Sequence, residues 1–134
     1  MKIAITSTEH RLESMVDPRF GRSPYLIYID PESLEFEAVD NPGALAGGGA
    51  GIATAQAIAG KGVETVLTGN CGPNAFRVLS AAGIKVVTGV SGKIKDVIQD
   101  YNDGKYTAST QPNVPGHFGL GGGGSGRGKG PGWK

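Results

Sequence analysis

Apolar residues recur along this chain in two periods, and the change between them separates a strand-rich front from a rear of alternating elements. Lys2-Ile3-Ala4-Ile5 is a short apolar run, the usual start of a central strand. A mostly polar stretch from Thr6 to Met15 leads into Asp17-Pro18-Arg19-Phe20-Gly21-Arg22, and Tyr25 to Asp30 predicts a second strand. In Asp30-Pro31-Glu32-Ser33 the proline stands second, where its fixed φ suits a type I turn. Leu34 to Val39 predicts a third strand, with Leu34, Phe36 and Ala38 alternating against Glu35 and Glu37. That pattern belongs to an antiparallel hairpin with one wetter face.

Beyond Asn41-Pro42 the period lengthens. After the glycines at 47, 48 and 49, Ile52, Ala55, Ile58 and Ala59 share one helical face that ends at Gly60-Lys61-Gly62. Val63 to Leu67 reads as a buried strand. Pro73 suits the first turn of a helix, whose stripe is Phe76, Leu79 and Ala82 and whose stop is Gly83. Ile84 to Val87 predicts the last strand. Ser91 is placed to cap a final helix, in which Ile94, Val97, Ile98 and Tyr101 keep the i, i+3, i+4, i+7 spacing, and Gly104 ends it. The order βββαβαβα gives an α/β fold. Its early strands form a meander, the later ones pair in parallel through right-handed crossovers, and helices pack on a mixed five-stranded sheet. The arrangement resembles the ribonuclease H-like architecture.

Composition trims this unit at its end. From Ser109 the chain holds ten of the 24 glycines and three of the eight prolines, with few apolar side chains to offset the entropy of ordering. The expectation is a folded unit over residues 1–108 and a disordered, glycine-rich basic tail over 109–134. Of the 13 basic and 12 acidic groups, the tail takes Arg127, Lys129 and Lys134 and no acid. The remaining near-neutral body lacks the clustered cations of a nucleic-acid surface. No stretch approaches the length that crosses a bilayer, no secretory run follows Met1, and the lone Cys71 rules out an internal disulfide. A cytoplasmic protein without nucleic-acid or membrane partners is expected.

Two turn-rich segments carry the candidate chemistry. In Thr68-Gly69-Asn70-Cys71-Gly72-Pro73-Asn74-Ala75 the glycines permit sharp turns and Pro73 starts a helix. Free amides and the helix dipole favour anions at such a start. An ordinary β–α turn capped by Asn70 or Gly72 accounts for the same residues. Gly47-Gly48-Gly49-Ala50-Gly51 is a second glycine-rich helix approach without the Lys-Ser/Thr ending of a P-loop. Arg19 and Arg22 flank Phe20-Gly21, which sets permanent positive charge beside an aromatic platform. A guanidinium offers a rigid fork of donors to an anion with several oxygens or sulfurs, and Asp17 is expected to fix an arginine or cap the loop rather than contact an anion. Cys71, just before a helix start, is expected to have a lowered pKa and to suit copper(I) or an iron–sulfur unit; a plain buried thiol is the alternative. There is no Ser/His/Asp pattern, and Ala4, Ile5 and Thr6 stand where a two-metal nuclease wants carboxylates. No enzyme is expected.

Asp17 to Arg22, Asn41-Pro42, Gly49-Ala50-Gly51, Gly69 to Ala75, Ala82-Gly83-Ile84, Gly89-Val90-Ser91-Gly92 and Tyr101-Asn102-Asp103-Gly104 occur in order over Lys2 to about Tyr106. This series resembles the dinitrogenase iron–molybdenum cofactor biosynthesis family. The resemblance implies a ribonuclease H-like fold and a non-catalytic carrier of an anionic metal–sulfur cluster. The cluster would be an iron–molybdenum cofactor precursor or a molybdenum–copper sulfide held noncovalently. Carried onto this chain, the cofactor-binding positions are Arg19, Phe20, Gly21, Arg22, Asn41, Gly49, Ala50, Gly51, Gly69, Asn70, Cys71, Gly72 and Asn74; a cysteine at 71 departs from the family pattern and adds the alternative that its thiolate ligates metal, whereas the resemblance favours noncovalent binding. A cluster-assembly ATPase or scaffold protein is the implied partner. The competing expectation is a protein-interaction or regulatory module of metallocluster assembly with no ligand of its own.

Overall fold

The structure, a computed structural model, describes residues 1–114. Its strands are β1 (Ile3–Ser7), β2 (Tyr25–Ile29), β3 (Phe36–Asp40), β4 (Thr65–Leu67) and β5 (Lys85–Val87), and its helices are α1 (Ala50–Ala59), α2 (Pro73–Ala81) and α3 (Ile94–Asn102). One sheet runs β3-β2-β1-β4-β5. The meander β1-β2-β3 is antiparallel, and β4 and β5 extend the other edge of β1 in parallel. This is the mixed five-stranded α/β arrangement that the change of period predicts.

Strand alternation divides the core into two layers. Ala4, Leu26, Tyr28, Val66 and Val86 face Ala55 and Ile58 of α1 and Ala75 and Leu79 of α2. Ile3, Ile5, Ile27, Ile29, Leu67 and Val87 face Ile94, Val97 and Ile98 of α3. A strand turns successive side chains to opposite faces, so an apolar residue at nearly every position is what a sheet covered on both sides requires.

Local details depart from the pattern. β3 begins at Phe36, two residues after the expected start, because the Asp30 carboxylate accepts the Glu32 and Ser33 N–H groups at 2.9 and 3.2 Å and prolongs the turn. Leu34 closes it at φ +68° with its N–H on Asp30 O at 2.8 Å. A 3-10 turn, Pro42–Leu45, precedes α1. Ser91 does not cap α3. Lys93 occupies that position, and the Ile94 and Lys95 N–H groups donate to Ser14 O and Leu12 O at 2.8 and 3.0 Å.

Six residues past the expected boundary at 108 are described. Ser109 donates its N–H to Val86 O at 2.7 Å, and Asn113 donates its own to Cys71 O at 3.2 Å. Hydrogen bonds to the sheet and to the β4–α2 turn hold this stretch, whose Ser-Thr-Gln-Pro-Asn sequence offers no large apolar side chain to anchor it. The rest of the expected tail, with Arg127, Lys129, Trp133 and Lys134, lies outside the described residues. Among the described residues no helix is long and apolar enough to cross a membrane.

Candidate functional site

Parallel crossovers bring the ends of β1 and β4 to one rim of the sheet, and the Asp17–Arg22 loop is sewn to both. Asp17 N–H donates to Thr6 O at 2.9 Å, the Thr6 hydroxyl donates to Asp17 O at 2.7 Å, and the Thr6 and Thr68 hydroxyls stand 2.8 Å apart. Asn70 N–H donates to Pro18 O at 2.8 Å, which makes a short parallel bridge between Arg19 and Asn70. Backbones approach here more closely than side chains permit. A Cβ on Gly69 would lie 2.6 Å from Pro18 Cα, and one on Gly21 would lie 2.7 Å from Gly51 N. One on Gly51 would meet the Ala75 methyl at 3.4 Å. The loop is therefore wedged between the start of α1 and the turn into α2, and the first turns of the two helices touch.

The two arginines have separate tasks. Asp17, buried, grips Arg19 by both carboxylate oxygens, with Nε to Oδ1 at 3.0 Å and Nη2 to Oδ2 at 2.9 Å, and Oδ1 also accepts the Arg19 N–H at 2.9 Å. These hydrogen bonds and the carboxylate charge raise the Arg19 pKa above its ordinary value. The Arg19 side chain remains 59% exposed, and its Nε and Nη2 are the atoms that Asp17 takes. Arg22 reaches away from the turn to the loop before α1, where its Nη1 donates to Ala46 O at 2.7 Å and Ala44 O at 3.4 Å. Its partners are neutral carbonyls, and among the described residues no carboxylate pairs with it.

The helix starts differ in the same way. At α3 the first amides are consumed by loop carbonyls. The cap residues of α1 and α2 are Gly49 and Gly72, and neither helix has a side-chain cap. Gly49 takes φ +68°, and a Cβ at Gly47, Gly48 or Gly49 would meet nothing within 4 Å. First-turn N–H groups have no intrahelical acceptor, so two neighbouring helix starts present donors and partial positive charge to an open rim. Ala50 and Gly51 supply one set. Asn74 lies exposed in the first turn of the other, with its Oδ1 accepting from Arg77 Nη1 at 3.3 Å.

Three expected site residues prove to be internal. Phe20 is 3% exposed and packs in the α1/α2 layer, because the turn that returns Ser23 N–H to Arg19 O at 2.9 Å rotates it inward. It is no platform for a ligand. Cys71 is 1% exposed in the same layer, and burial pushes its thiol up to about 12 rather than down. Desolvation of the thiolate outweighs the nearby helix start. Asn41 is a buried latch: its Oδ1 accepts from Gly43 N–H at 3.0 Å and Thr54 Oγ1 at 2.7 Å, and its Nδ2 donates to Ser23 Oγ at 3.2 Å. It fixes the approach to α1.

Sequence reasoning missed Asn113. Its Oδ1 accepts the Cys71 N–H at 2.7 Å, and its Nδ2 donates to Gly69 O and Asn70 Oδ1, both at 3.1 Å. Nothing in Pro112-Asn113-Val114 signals this. Among the described residues no three His, Cys, Asp or Glu side chains gather as a metal-ion site. A groove of about 570 Å³ opens at the opposite end of the sheet, lined by residues including Met1, Lys2, Tyr28, Phe36, Glu37 and Lys61.

Comparison with known proteins matches residues 1–104 to the family described as dinitrogenase iron-molybdenum cofactor. A protein of Methanocaldococcus jannaschii described only as uncharacterized is 31% identical over 108 residues, covering 78% of this chain and 88% of its own. The apo form of the orange protein of Desulfovibrio gigas is similar in structure at a TM-score of 0.80 and 38% identity, over 84% of this chain and 96% of that one. A Thermotoga protein solved by NMR follows at a TM-score of 0.68 and 37% identity, over 80% of this chain and 91% of that one.

Proposed function

This chain belongs to the dinitrogenase iron–molybdenum cofactor family, and on that footing we propose that it carries an anionic metal–sulfur cluster without catalysing a reaction. The observation that carries the reading is the contact between two helix starts that lack side-chain caps, beside Arg22, which no carboxylate among the described residues neutralises. Such amides and a guanidinium donate hydrogen bonds to oxygen or sulfide without displacing any ligand from the metals. The open glycines at 47 to 49 leave room for a body larger than phosphate. Retention is noncovalent, because the only thiol is buried and protonated. Iron–molybdenum precursors and molybdenum–copper sulfides both meet these demands, being compact polyanions with sulfide surfaces. A relative described in an apo form fits a protein that takes up and releases its cargo.

Anaerobic reconstitution tests the reading, with tetrathiomolybdate plus copper(I) in one arm and iron plus sulfide in the other. Stoichiometric retention of one of these clusters on gel filtration is expected. Failure of every cluster to remain bound, with the fold intact by circular dichroism, removes it.

A second role is favoured by Leu45, which is 96% exposed on the loop that Arg22 pins by two carbonyls. An apolar side chain held out beside the rim suits contact with the protein that delivers or receives the cluster, an assembly scaffold or its ATPase. With Leu45→Ser, uptake of free tetrathiomolybdate stays unchanged while transfer from a loaded scaffold slows. Equal transfer rates count against this role.

A further inference from the structure

We infer that residues 109–113 form an inhibitory strap on the candidate site, with the Asn113 carboxamide occupying the β4–α2 turn until a ligand displaces it. The inference rests on the reading that this rim binds an anion, and it adds how access to that rim is controlled.

Asn113 makes four hydrogen bonds to three consecutive residues. Its Oδ1 takes the Cys71 N–H at 2.7 Å, its Nδ2 serves Gly69 O and Asn70 Oδ1 at 3.1 Å each, and its N–H serves Cys71 O at 3.2 Å. An amide oxygen at Cys71 N–H stands where an anionic acceptor would be received. Asn70 N–H is already committed to Pro18 O. While the strap is docked, Cys71 is therefore closed to a ligand approaching this turn.

The anchorage is built to open at one end. Ser109 holds the near end to the sheet through its N–H on Val86 O at 2.7 Å, its Oγ accepting Thr88 N–H at 3.3 Å, and the Thr88 hydroxyl at 2.9 Å. Between the two anchors Thr110 and Gln111 are exposed, Pro112 is half-buried, and Asn113 itself is exposed. A segment held by polar contacts and little buried apolar surface opens at low cost. Asn113 can thus leave the turn while Ser109 stays, and the strap remains close enough to return. Competition follows from mass action: the apparent affinity for an anion falls by the fraction of molecules in which the turn is free.

The test uses the full chain and tetrathiomolybdate alone, titrated anaerobically by absorbance, with wild type, Asn113→Ala and Ser109→Ala compared. Asn113→Ala removes the competing acceptor, and affinity rises roughly five-fold if the strap is closed in about four molecules of five. Ser109→Ala weakens the near anchor and gives a smaller rise. Amide hydrogen exchange at Cys71 supplies a readout free of ligand: it speeds up in Asn113→Ala, because the Cys71 N–H loses its acceptor. Wild type and Asn113→Ala binding the anion equally, or Asn113→Ala binding it more weakly, overturns the strap while the carrier reading stands. Equal exchange at Cys71 in the two proteins overturns it as well. If neither protein binds the anion, the carrier reading fails and the strap's gating role fails with it.

Discussion

Asp17 holds Arg19 in a two-point ion pair, Nε to Oδ1 at 3.0 Å and Nη2 to Oδ2 at 2.9 Å, from a carboxylate that is itself buried. The pair holds the guanidinium on a loop that backbone hydrogen bonds from Asp17 to Thr6 and from Asn70 to Pro18 tie to the ends of β1 and β4. Asp17→Asn keeps the shape but loses the charge and one acceptor oxygen. A loss of about 1–2 kcal/mol is expected in urea unfolding, below the full range of about 1.5–3 for a hydrogen bond to a charged group because the guanidinium side is screened by solvent. Arg19→Gln leaves the carboxylate buried with its backbone contact alone, so it should destabilise by a similar amount. Either variant unfolding at the wild-type urea midpoint would show that the pair contributes nothing to stability.

Backbone contact at the rim makes a sharper expectation. Gly69→Ala places a methyl 2.6 Å from Pro18 Cα, and Gly21→Ala places one 2.7 Å from Gly51 N. Both partners are backbone and cannot turn aside, so each substitution should cost about 1–3 kcal/mol of stability and separate the loop from the turn. Gly48→Ala meets nothing within 4 Å and serves as the control, with unfolding within about 0.5 kcal/mol of wild type. Equal midpoints for all three in urea would contradict the close packing of loop, turn and helix start.

Cys71 should behave as a core residue. In native protein at pH 8 the thiol is expected to resist Ellman's reagent and to react only on unfolding, because burial keeps it protonated up to about 12. Its folded pKa lies above the ordinary value of 9.0, so the folded state holds this proton more tightly than the unfolded chain does. The associated stability is complete below pH 9 and declines as pH rises toward 12, by about 1.4 kcal/mol per pH unit. Urea unfolding of wild type and Cys71→Ala between pH 8 and pH 11 isolates this slope, since lysines and tyrosines titrate alike in both. Cys71→Ala should also retain tetrathiomolybdate. Complete loss of cluster from a folded Cys71→Ala protein would restore the thiolate as a ligand.

Periodicity revealed the elements and their order because each stripe buries a full face: Ile94, Val97 and Ile98 can pack only against Ile3, Ile5 and Leu67 on one side of the sheet. The glycines and Pro73 likewise marked where the helices begin. What the sequence concealed is direction. Arg19, Phe20 and Arg22 are near neighbours in the chain, yet one turn sends them to Asp17, to the core and to the Ala46 carbonyl respectively. Those destinations lie up to 24 residues away and leave no local periodicity. Cys71 shows the same limit, since a helix start lowers a thiol pKa only when solvent reaches the sulfur. Asn113 escaped notice because one carboxamide and one backbone N–H supply its anchorage, in a stretch whose composition reads as disorder.

An anionic cluster is expected at the starts of α1 and α2 and not at the start of α3, where Ser14 O and Leu12 O already take the first amides. The most direct test of this placement is ¹⁵N chemical-shift mapping of the uniformly labelled full chain during anaerobic addition of tetrathiomolybdate. The largest shifts are expected at the amides of Ala50, Gly51, Asn74 and Ala75, and at Cys71 as Asn113 leaves it, with Ile94 and Lys95 unmoved. Shifts gathered at Met1, Tyr28 and Phe36 around the opposite groove, or none at saturating anion, would contradict that placement.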